Sequence, residues 1–319
     1  MSAAAPGAPA LLPARLLAYQ AERFPLVQFV PLLTLFTFSS AAYSRLARGA
    51  PGFMPVRLLL VGAFTSITFF FLLRVLDEHK DREVDARWRP ELPVPRGLVT
   101  LGELRLAAGV LLGLVVALNL AVAPVLLIPC AIAGGWAALM TAEFFVRDWL
   151  RAHPTAYLLS HMAILPLIDL YTTGLDWWAA GAPAPHGLPW FLAVTFLNGV
   201  LIEIGRKIRA PGDEREGVDT YSKAWGRRAA TWVWAGVLAL ALAAAVPASR
   251  AVGTAAWSDV VLALAALACG AAAIAFLRVP DARRAARIEQ ASGAWPLVTY
   301  LALGSIPYVV RWIAAGRTP

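Results

Sequence analysis

Three aspartates spaced four residues apart are the side chains of this sequence best suited to chemistry. Asp77, Asp81 and Asp85 come directly after a long apolar segment. If the helix of that segment continues through them, their positions lie along one face. Carboxylates on one face repel one another unless a cation lies among them, and Mg2+ is commonly shared between a few carboxylates and phosphate oxygens. The spacing therefore points to a site for a divalent cation and a phosphorylated ligand.

A second polar block occupies residues 203–222 and also follows an apolar segment. Pro211 and Gly212 break any helix that continues from that segment, so Asp213 and Glu216 fall in a turn or a new short helix. Two acid-rich clusters that face each other across a bundle can hold two metal ions with a diphosphate bridging them. Lys and Arg side chains nearby can take the remaining phosphate charge, and Arg does so with bidentate geometry.

The elements that position these blocks are membrane helices. Of the 319 residues, 59% are hydrophobic and 15% are charged, which is far from an ordinary soluble domain. A span needs about 20 predominantly apolar residues. Nine such stretches are present: 26–47, 55–76, 101–121, 124–146, 155–175, 187–207, 228–247, 254–277 and 293–314. We therefore predict an all-α integral membrane protein with about nine transmembrane helices in one bundle.

Loop charges orient this bundle. Basic residues crowd the connections after spans 2, 4, 6 and 8, whereas the connections after spans 3 and 5 have none. By the positive-inside rule the even-numbered connections and the N-terminus face the cytoplasm. Arg45, Arg48 and Arg57, after span 1, are an exception. We expect residues 1–25 to form an N-terminal cytoplasmic segment and residues 26–319 to form the transmembrane domain. We expect the protein to lie in a bacterial-type cytoplasmic membrane.

The net charge of +8 is thus mainly a topology signal. No basic stripe interleaved with aromatic residues indicates nucleic-acid binding, and no Ser/His/Asp or zinc-ligand pattern is present.

The first block resembles the aspartate-rich motif of UbiA-type intramembrane prenyltransferases, N-D-x-x-D-x-x-x-D followed by R-P-x-P-x-G. Asp77 stands in the Asn position and Glu78 in the next acid position, while Asp81 and Asp85 match directly. Downstream, residues 93–97 fit P-x-P-x-G. Nine spans with motifs after spans 2 and 6 match the family architecture, so the resemblance covers nearly the whole chain.

The second block resembles the family's D-x-x-x-D motif followed by a glycine, since Asp213 lies four residues before Gly217. Arg209 replaces the first acid of that motif, and Leu92 replaces the usual Arg before the P-x-P-x-G turn, for which Arg89 is a substitute. Four other acids are alternatives for the missing ligand: Glu203, Glu214, Glu216 and Asp219. These departures indicate a divergent branch.

The resemblance implies that Mg2+ holds a prenyl diphosphate at the cytoplasmic mouth while the isoprenoid tail lies among the spans. The implied metal ligands are Asp77, Asp81, Asp85, Asp213 and Glu216. The implied contacts to the substrates are Lys80, Arg89, Arg147, Arg206, Lys207 and Arg209, together with Asp169 as a base for the acceptor. Ionisation gives an allylic carbocation, which a lipophilic acceptor attacks. No obligatory protein partner is evident.

Several alternatives remain open from the residues. The first alternative is a UbiA-type terpene cyclase, which ionises the same substrates but lets the carbocation be captured by its own isoprenoid chain. The second alternative is a transporter that uses the acids as a cation site. Against it, these acids cluster at one mouth of the bundle, whereas coupling-ion sites usually lie near the membrane midplane. Arg209 and Leu92 are the arguments for a catalytically dead scaffold. For Asp169, the alternative to a base is a carboxylate that accepts hydrogen bonds between helices.

Overall fold

The computed structural model describes residues 11–316. Residues 1–10 of the predicted N-terminal segment and residues 317–319 of the predicted membrane domain lie outside the described part. The helices are α1 (Leu12–Arg23), α2 (Leu26–Ala47), α3 (Val56–Lys80), α4 (Arg82–Trp88), α5 (Leu101–Val122), α6 (Leu127–Thr141), α7 (Arg147–Ala152), α8 (Pro154–Met162), α9 (Ile164–Gly174), α10 (Leu188–Gly205), α11 (Tyr221–Ala224), α12 (Arg227–Ala251), α13 (Ala255–Arg278), α14 (Ala282–Tyr300) and α15 (Ile306–Ala314). Short 3-10 turns precede α6 and α7, and a π-helical turn, Leu301–Ser305, joins α14 to α15.

Eight helical segments between residues 11 and 316 are long and apolar enough to cross a membrane. They correspond to eight of the nine spans expected from the sequence, so the all-α membrane fold is confirmed. The fifth expected span is divided into α8 and α9, which meet at Ala163. Neither half is long enough to cross alone, and α9 is held by packing against α2, α6 and α10.

The centre of the bundle contains a buried carboxylate. Asp169 accepts hydrogen bonds from Ser40 Oγ at 2.7 Å, from Thr172 Oγ1 at 2.9 Å and from the Tyr300 hydroxyl. Ser39 and Ser305 are joined close by at 2.6 Å. Polar groups inside a membrane bundle must be satisfied by protein partners. Asp169 thus accepts hydrogen bonds from neighbouring helices. This arrangement corresponds to the alternative considered above, in which Asp169 is not the base that deprotonates the acceptor.

The π-helical turn lets α2 approach the last span closely. A Cβ at Gly304 would lie 2.1 Å from the Ser39 carbonyl oxygen. Both partners at this contact are main chain, so neither can rotate away. The absence of a side chain at Gly304 is therefore a condition for the packing of α2 against the last span.

Replacing Gly304 with alanine is expected to destabilise the protein by about 1–3 kcal/mol, because overpacking forces backbone shifts. Gly293→Ala is the matched control, since a Cβ there meets nothing within 4 Å. Because alanine favours a helix over glycine by about 1 kcal/mol, that control should be neutral or stabilising. Thermal unfolding in detergent compares the two variants. A Gly304→Ala protein as stable as Gly293→Ala would contradict this account of the helix contact.

At the end of the bundle remote from the aspartate-rich block, Asp176 joins two of the arginines that depart from the loop-charge pattern. Its carboxylate accepts from Arg45 Nη1 at 3.0 Å, from Arg48 Nε at 2.8 Å and from Ser44 Oγ at 2.9 Å. The Asp176 side chain is fully buried. The positive charge that the sequence places after span 1 is thus partly neutralised by a carboxylate of the loop after α9.

Candidate active site

The aspartate-rich block forms the junction between α3 and α4. Asp81 separates the two helices with φ −92° and ψ 7°, so the single continuous helix expected from the sequence is interrupted there. The hydrogen bonds of the helix nevertheless continue, from Asp81 N to Asp77 O at 2.9 Å and from Asp85 N to Asp81 O at 2.8 Å. The three aspartates therefore lie on successive turns with a bend at the middle one.

The three carboxylates have different surroundings. Asp77 is exposed, with Arg74 Nη1 at 3.8 Å, and Asp81 is half-buried. Asp85 is buried and pairs with Arg89 Nη1 at 3.2 Å. Burial raises the pKa of Asp85; Arg89 opposes the rise, and the neighbouring Asp81 carboxylate adds to it. Like charges are thus crowded at this junction, as expected where a cation is to bind.

Glu78, in the second position of the motif, is bound by α1. Its Oε1 accepts from Arg23 Nε at 2.7 Å and from the Tyr19 hydroxyl at 3.4 Å, both on α1. The side chain is almost fully buried by these contacts. Glu78 therefore anchors the N-terminal helix against the block.

The second block begins at the end of α10. Glu203 is buried there and pairs with Arg206 Nη2 at 2.5 Å and with Lys207 Nζ at 2.9 Å. Residues Pro211–Asp213 form a 3-10 turn, in agreement with the helix break expected at Pro211 and Gly212. Asp213 and Glu216 are exposed on this loop.

Among the other acids considered for this loop, Glu214 accepts from Thr220 Oγ1 at 2.8 Å and lies 3.9 Å from Lys223 Nζ. Glu203 and Glu214 are therefore engaged with partners of the protein itself. Asp219 is exposed, like Glu216.

The two blocks meet at the same end of the bundle. Gly217, with φ +70°, lies against the Trp88 ring at the end of α4, and a Cβ on Gly217 would lie 2.4 Å from Trp88 Cδ2. Burial lowers the pKa of Arg206. The Glu203 and Asp77 carboxylates raise it, and their combined effect exceeds that of burial, so the pKa is higher than usual. Asp77 of the first block and Arg206 of the second are thus close enough to interact electrostatically.

Replacing Gly217 with alanine is expected to displace the second block from α4 and to lower at least tenfold any activity that requires both blocks. The methyl group would clash with the Trp88 ring, and a left-handed conformation costs a non-glycine residue about 1–2 kcal/mol. Gly212→Ala, five residues earlier on the same loop, is the control, because a Cβ at Gly212 meets nothing within 4 Å and its φ is not left-handed. Steady-state activity of both variants is the measurement, and equal activities would contradict the contact between the blocks.

The basic residues expected to bind diphosphate are distributed around this mouth. Arg209 Nη1 pairs with Glu289 of α14 at 3.0 Å, and Arg147 Nε lies 3.1 Å from Glu143 Oε2. Arg206 and Lys207 are held by Glu203, as described above. Arg206 and Lys207 are therefore positioned at the end of α10 by Glu203, whereas Arg209 pairs with α14.

Lys80 was expected from the sequence to contact the substrates, but its pairing with α8 was not predicted. Lys80 turns toward α8, where its Nζ contacts the Tyr157 hydroxyl and lies 3.4 Å from His161 Nε2 and 3.7 Å from Glu143 Oε1. Glu143, Phe144 and Phe145 all have positive φ values, of 47°, 51° and 60°. No glycine or asparagine signals this left-handed turn, and nothing in the local sequence pairs Lys80 with α8.

The acids fit Mg2+ only together with a phosphorylated ligand. Within residues 11–316, no three His, Cys, Asp or Glu side chains are close enough to hold a metal by themselves. The five predicted ligands are thus not gathered into one cage. Mg2+ is usually held by one or two carboxylates plus substrate phosphates. Asp77 and Asp81 supply such hard oxygens, beside the cations of the second block.

A sequence model of the UbiA prenyltransferase family matches residues 35–295. No curated protein sequence matches the chain. Solved structures share its fold at low identity, among them the following three. A structure of digeranylgeranylglyceryl phosphate synthase has 16% identity and a TM-score of 0.64, covering 91% of this chain and 97% of its own. An apo UbiA homologue from Aeropyrum pernix K1 has 15% identity and a TM-score of 0.66, covering 85% and 96%. A UbiA homologue from Archaeoglobus fulgidus bound to DMAPP and Mg2+ has 11% identity and a TM-score of 0.54, covering 87% and 98%.

The fold and the paired acidic blocks thus define an intramembrane enzyme of the prenyl-transferring class. The chain belongs to the UbiA prenyltransferase family, whose model spans most of its length. It is a prenyltransferase and an integral membrane protein, so the transporter alternative left open by the acidic clusters falls away.

Proposed function

We propose that the chain transfers a prenyl group from a prenyl diphosphate to a lipophilic acceptor within the membrane, and that the transfer depends on Mg2+. The observation that carries this proposal is the contact between the two blocks, in which Gly217 lies against the Trp88 ring. The Asp77 carboxylate of the first block also raises the pKa of Arg206 in the second. Carboxylates for a metal and cations for a diphosphate then lie at one mouth of an apolar bundle.

Asp77 and Asp81 would hold Mg2+, with Asp213 and Glu216 approaching from the loop of the second block. Asp85 pairs with Arg89 and contributes to the negative potential of the same junction. Bound Mg2+ supplies positive charge that stabilises the leaving diphosphate.

Arg206 and Lys207 would bind the diphosphate at the end of α10. Both are positioned by the buried Glu203 carboxylate, so their charges have fixed places when the negative charge of the leaving group develops. Arg89 and Arg147, which pair with Asp85 and Glu143, would add positive charge near the same mouth, whereas Arg209 is paired with Glu289 of α14. The apolar spans would hold the isoprenoid tail and keep water from the allylic cation.

Two structural neighbours support this assignment by what they bind or make. One is a UbiA homologue bound to DMAPP and Mg2+, and the other is digeranylgeranylglyceryl phosphate synthase. The substrates of this chain are proposed by analogy with them. The basic connections at the mouth favour a cytoplasmic orientation for it in a bacterial-type inner membrane.

The test is diphosphate release by the purified protein in detergent. Geranyl, farnesyl and geranylgeranyl diphosphates would be supplied with Mg2+ or with EDTA, and organic extracts analysed by mass spectrometry. Mg2+-dependent release is the expected result. A hydrocarbon formed without acceptor would identify a cyclase instead. Failure of every prenyl diphosphate to bind with Mg2+ present would overturn the proposal.

A further inference from the structure

Lys80 lies between two of the aspartates in sequence, yet its ammonium group is directed at α8. Its Nζ contacts the Tyr157 hydroxyl, lies 3.4 Å from His161 Nε2 and is 4.7 Å from the centre of the Tyr157 ring. Only 12% of the Lys80 side chain is exposed. An ammonium group has three N–H donors and accepts nothing. Lys80 therefore presents hydrogen-bond donors to an enclosed corner of the mouth.

The His161 imidazole presents an acceptor to the same corner. Its Nδ1 lies 2.9 Å from the Tyr157 carbonyl oxygen, which can only accept, so we assign the ring proton to Nδ1 and the lone pair to Nε2. The ring is stacked on Tyr157 with centroids 3.8 Å apart, and Phe144 meets it edge-on at 6.0 Å. These aromatic contacts fix the direction of the lone pair.

The turn behind this corner is strained. Glu143, Phe144 and Phe145 occupy the left-handed region, which is unfavourable for a residue with a side chain. The turn buries Glu143 opposite Lys80 and sets Phe144 against His161. Such strain persists where the surrounding structure holds it, and it is concentrated at functional sites.

The donor and the acceptor of this corner are poorly matched to each other. A separation of 3.4 Å between Lys80 Nζ and His161 Nε2 exceeds the usual length of a strong hydrogen bond. The chemical group that satisfies both is a hydroxyl, which donates one proton and accepts through its lone pairs. An ionised phosphate oxygen has no proton to donate to Nε2. The corner thus favours an acceptor hydroxyl over the diphosphate.

We propose that Lys80 and His161 bind the hydroxyl group of the acceptor, so that this enzyme alkylates the oxygen of an alcohol or a phenol. The inference rests on the prenyl transfer proposed above. The acceptor oxygen forms a new bond to the allylic carbon, and its proton passes to His161 Nε2. The bond from that carbon to the diphosphate oxygen breaks, and its electron pair leaves with the diphosphate. The product is an allylic ether, and the proton on His161 returns to water.

The experiment supplies purified enzyme with Mg2+, farnesyl diphosphate and one of three probes: hexadecyl glycerol, nonylphenol or nonylanisole. We expect ethers from a hydroxyl-bearing probe and no product from nonylanisole, which differs from nonylphenol by a methyl group on the oxygen. His161→Gln keeps an acceptor atom but cannot take a proton at neutral pH. It should lower kcat for ether formation by about 100-fold or more, with the Kd for farnesyl diphosphate unchanged.

His161→Asn is a second test of the base, and His153→Gln is the matched control. His153 is exposed immediately before α8, where it stacks on Trp149, so its replacement should leave kcat unchanged. Binding of farnesyl diphosphate checks that each variant is folded. Wild-type kcat in both His161 variants would overturn the inference.

Two results with the wild-type enzyme also decide the matter without any variant. Diphosphate release that yields no ether from either hydroxyl probe, or prenylation confined to carbon, would overturn the hydroxyl site while leaving the proposed prenyl transfer intact. Failure of geranyl, farnesyl and geranylgeranyl diphosphates alike to bind in the presence of Mg2+ would overturn both proposals together.

Discussion

Asparagine in place of Asp81 is expected to lower kcat for diphosphate release by about three orders of magnitude. Asp81 lies at the bend between α3 and α4, half-buried between Asp77 and Asp85. The change keeps the size of the side chain and removes one negative charge from the proposed metal ligands. Metal ions contribute several kcal/mol of charge stabilisation, and each 1.36 kcal/mol corresponds to about tenfold in rate.

The measurement is steady-state diphosphate release as a function of Mg2+ concentration. A higher half-saturating Mg2+ concentration should accompany the lower kcat, because a ligand has been lost. Asp148→Asn, an exposed acid at the start of α7, is the control for a general loss of negative charge. Equal kcat and equal Mg2+ dependence in Asp81→Asn and the wild type would remove Asp81 from the metal site.

Asparagine in place of Asp176 is expected to cost about 3–5 kcal/mol of unfolding free energy, with little effect on the chemistry at the opposite end of the bundle. The carboxylate is fully buried between Arg45 and Arg48, whose side chains are only 15% and 17% exposed. Removing its charge leaves two poorly solvated guanidinium groups without a counter-charge. That desolvation is the source of the loss.

Denaturant or thermal unfolding in detergent measures this effect. Arg57→Gln, which changes an exposed charge in the first turn of α3, should be near neutral. Combining Asp176→Asn with Arg48→Met should recover part of the loss, because one of the two buried cations is then absent. An Asp176→Asn protein as stable as the wild type would show that the arginines are solvated.

The membrane spans were predictable because each one requires a stretch of about 20 predominantly apolar residues, which can be read directly from the sequence. Eight of the nine stretches are continuous helical segments in the described part of the chain. The fifth, which contains His161 and Asp169, is divided at Ala163. A hydropathy pattern records how apolar a stretch is but not whether its backbone stays straight, so the division between α8 and α9 was beyond it.

The orientation of side chains within the site depended on partners far away in sequence. Spacing placed Asp77, Asp81 and Asp85 on successive turns, but Glu78 is held by Arg23, 55 residues earlier. Lys80 is held by Tyr157, 77 residues later. Helical spacing constrains neighbours three and four residues apart and carries no information about such distant pairs.

The contact of α1 with Glu78 affects how this enzyme can be shortened. A truncated protein that begins after Phe24 would retain every predicted span but lose Arg23 and Tyr19, which cover the Glu78 carboxylate. It would also lose the pairs of Arg15 with Glu103 and of Glu22 with Arg96. The helix before the first span therefore covers a buried carboxylate of the first block, and its removal would expose Glu78, the neighbour of Asp77 in the sequence.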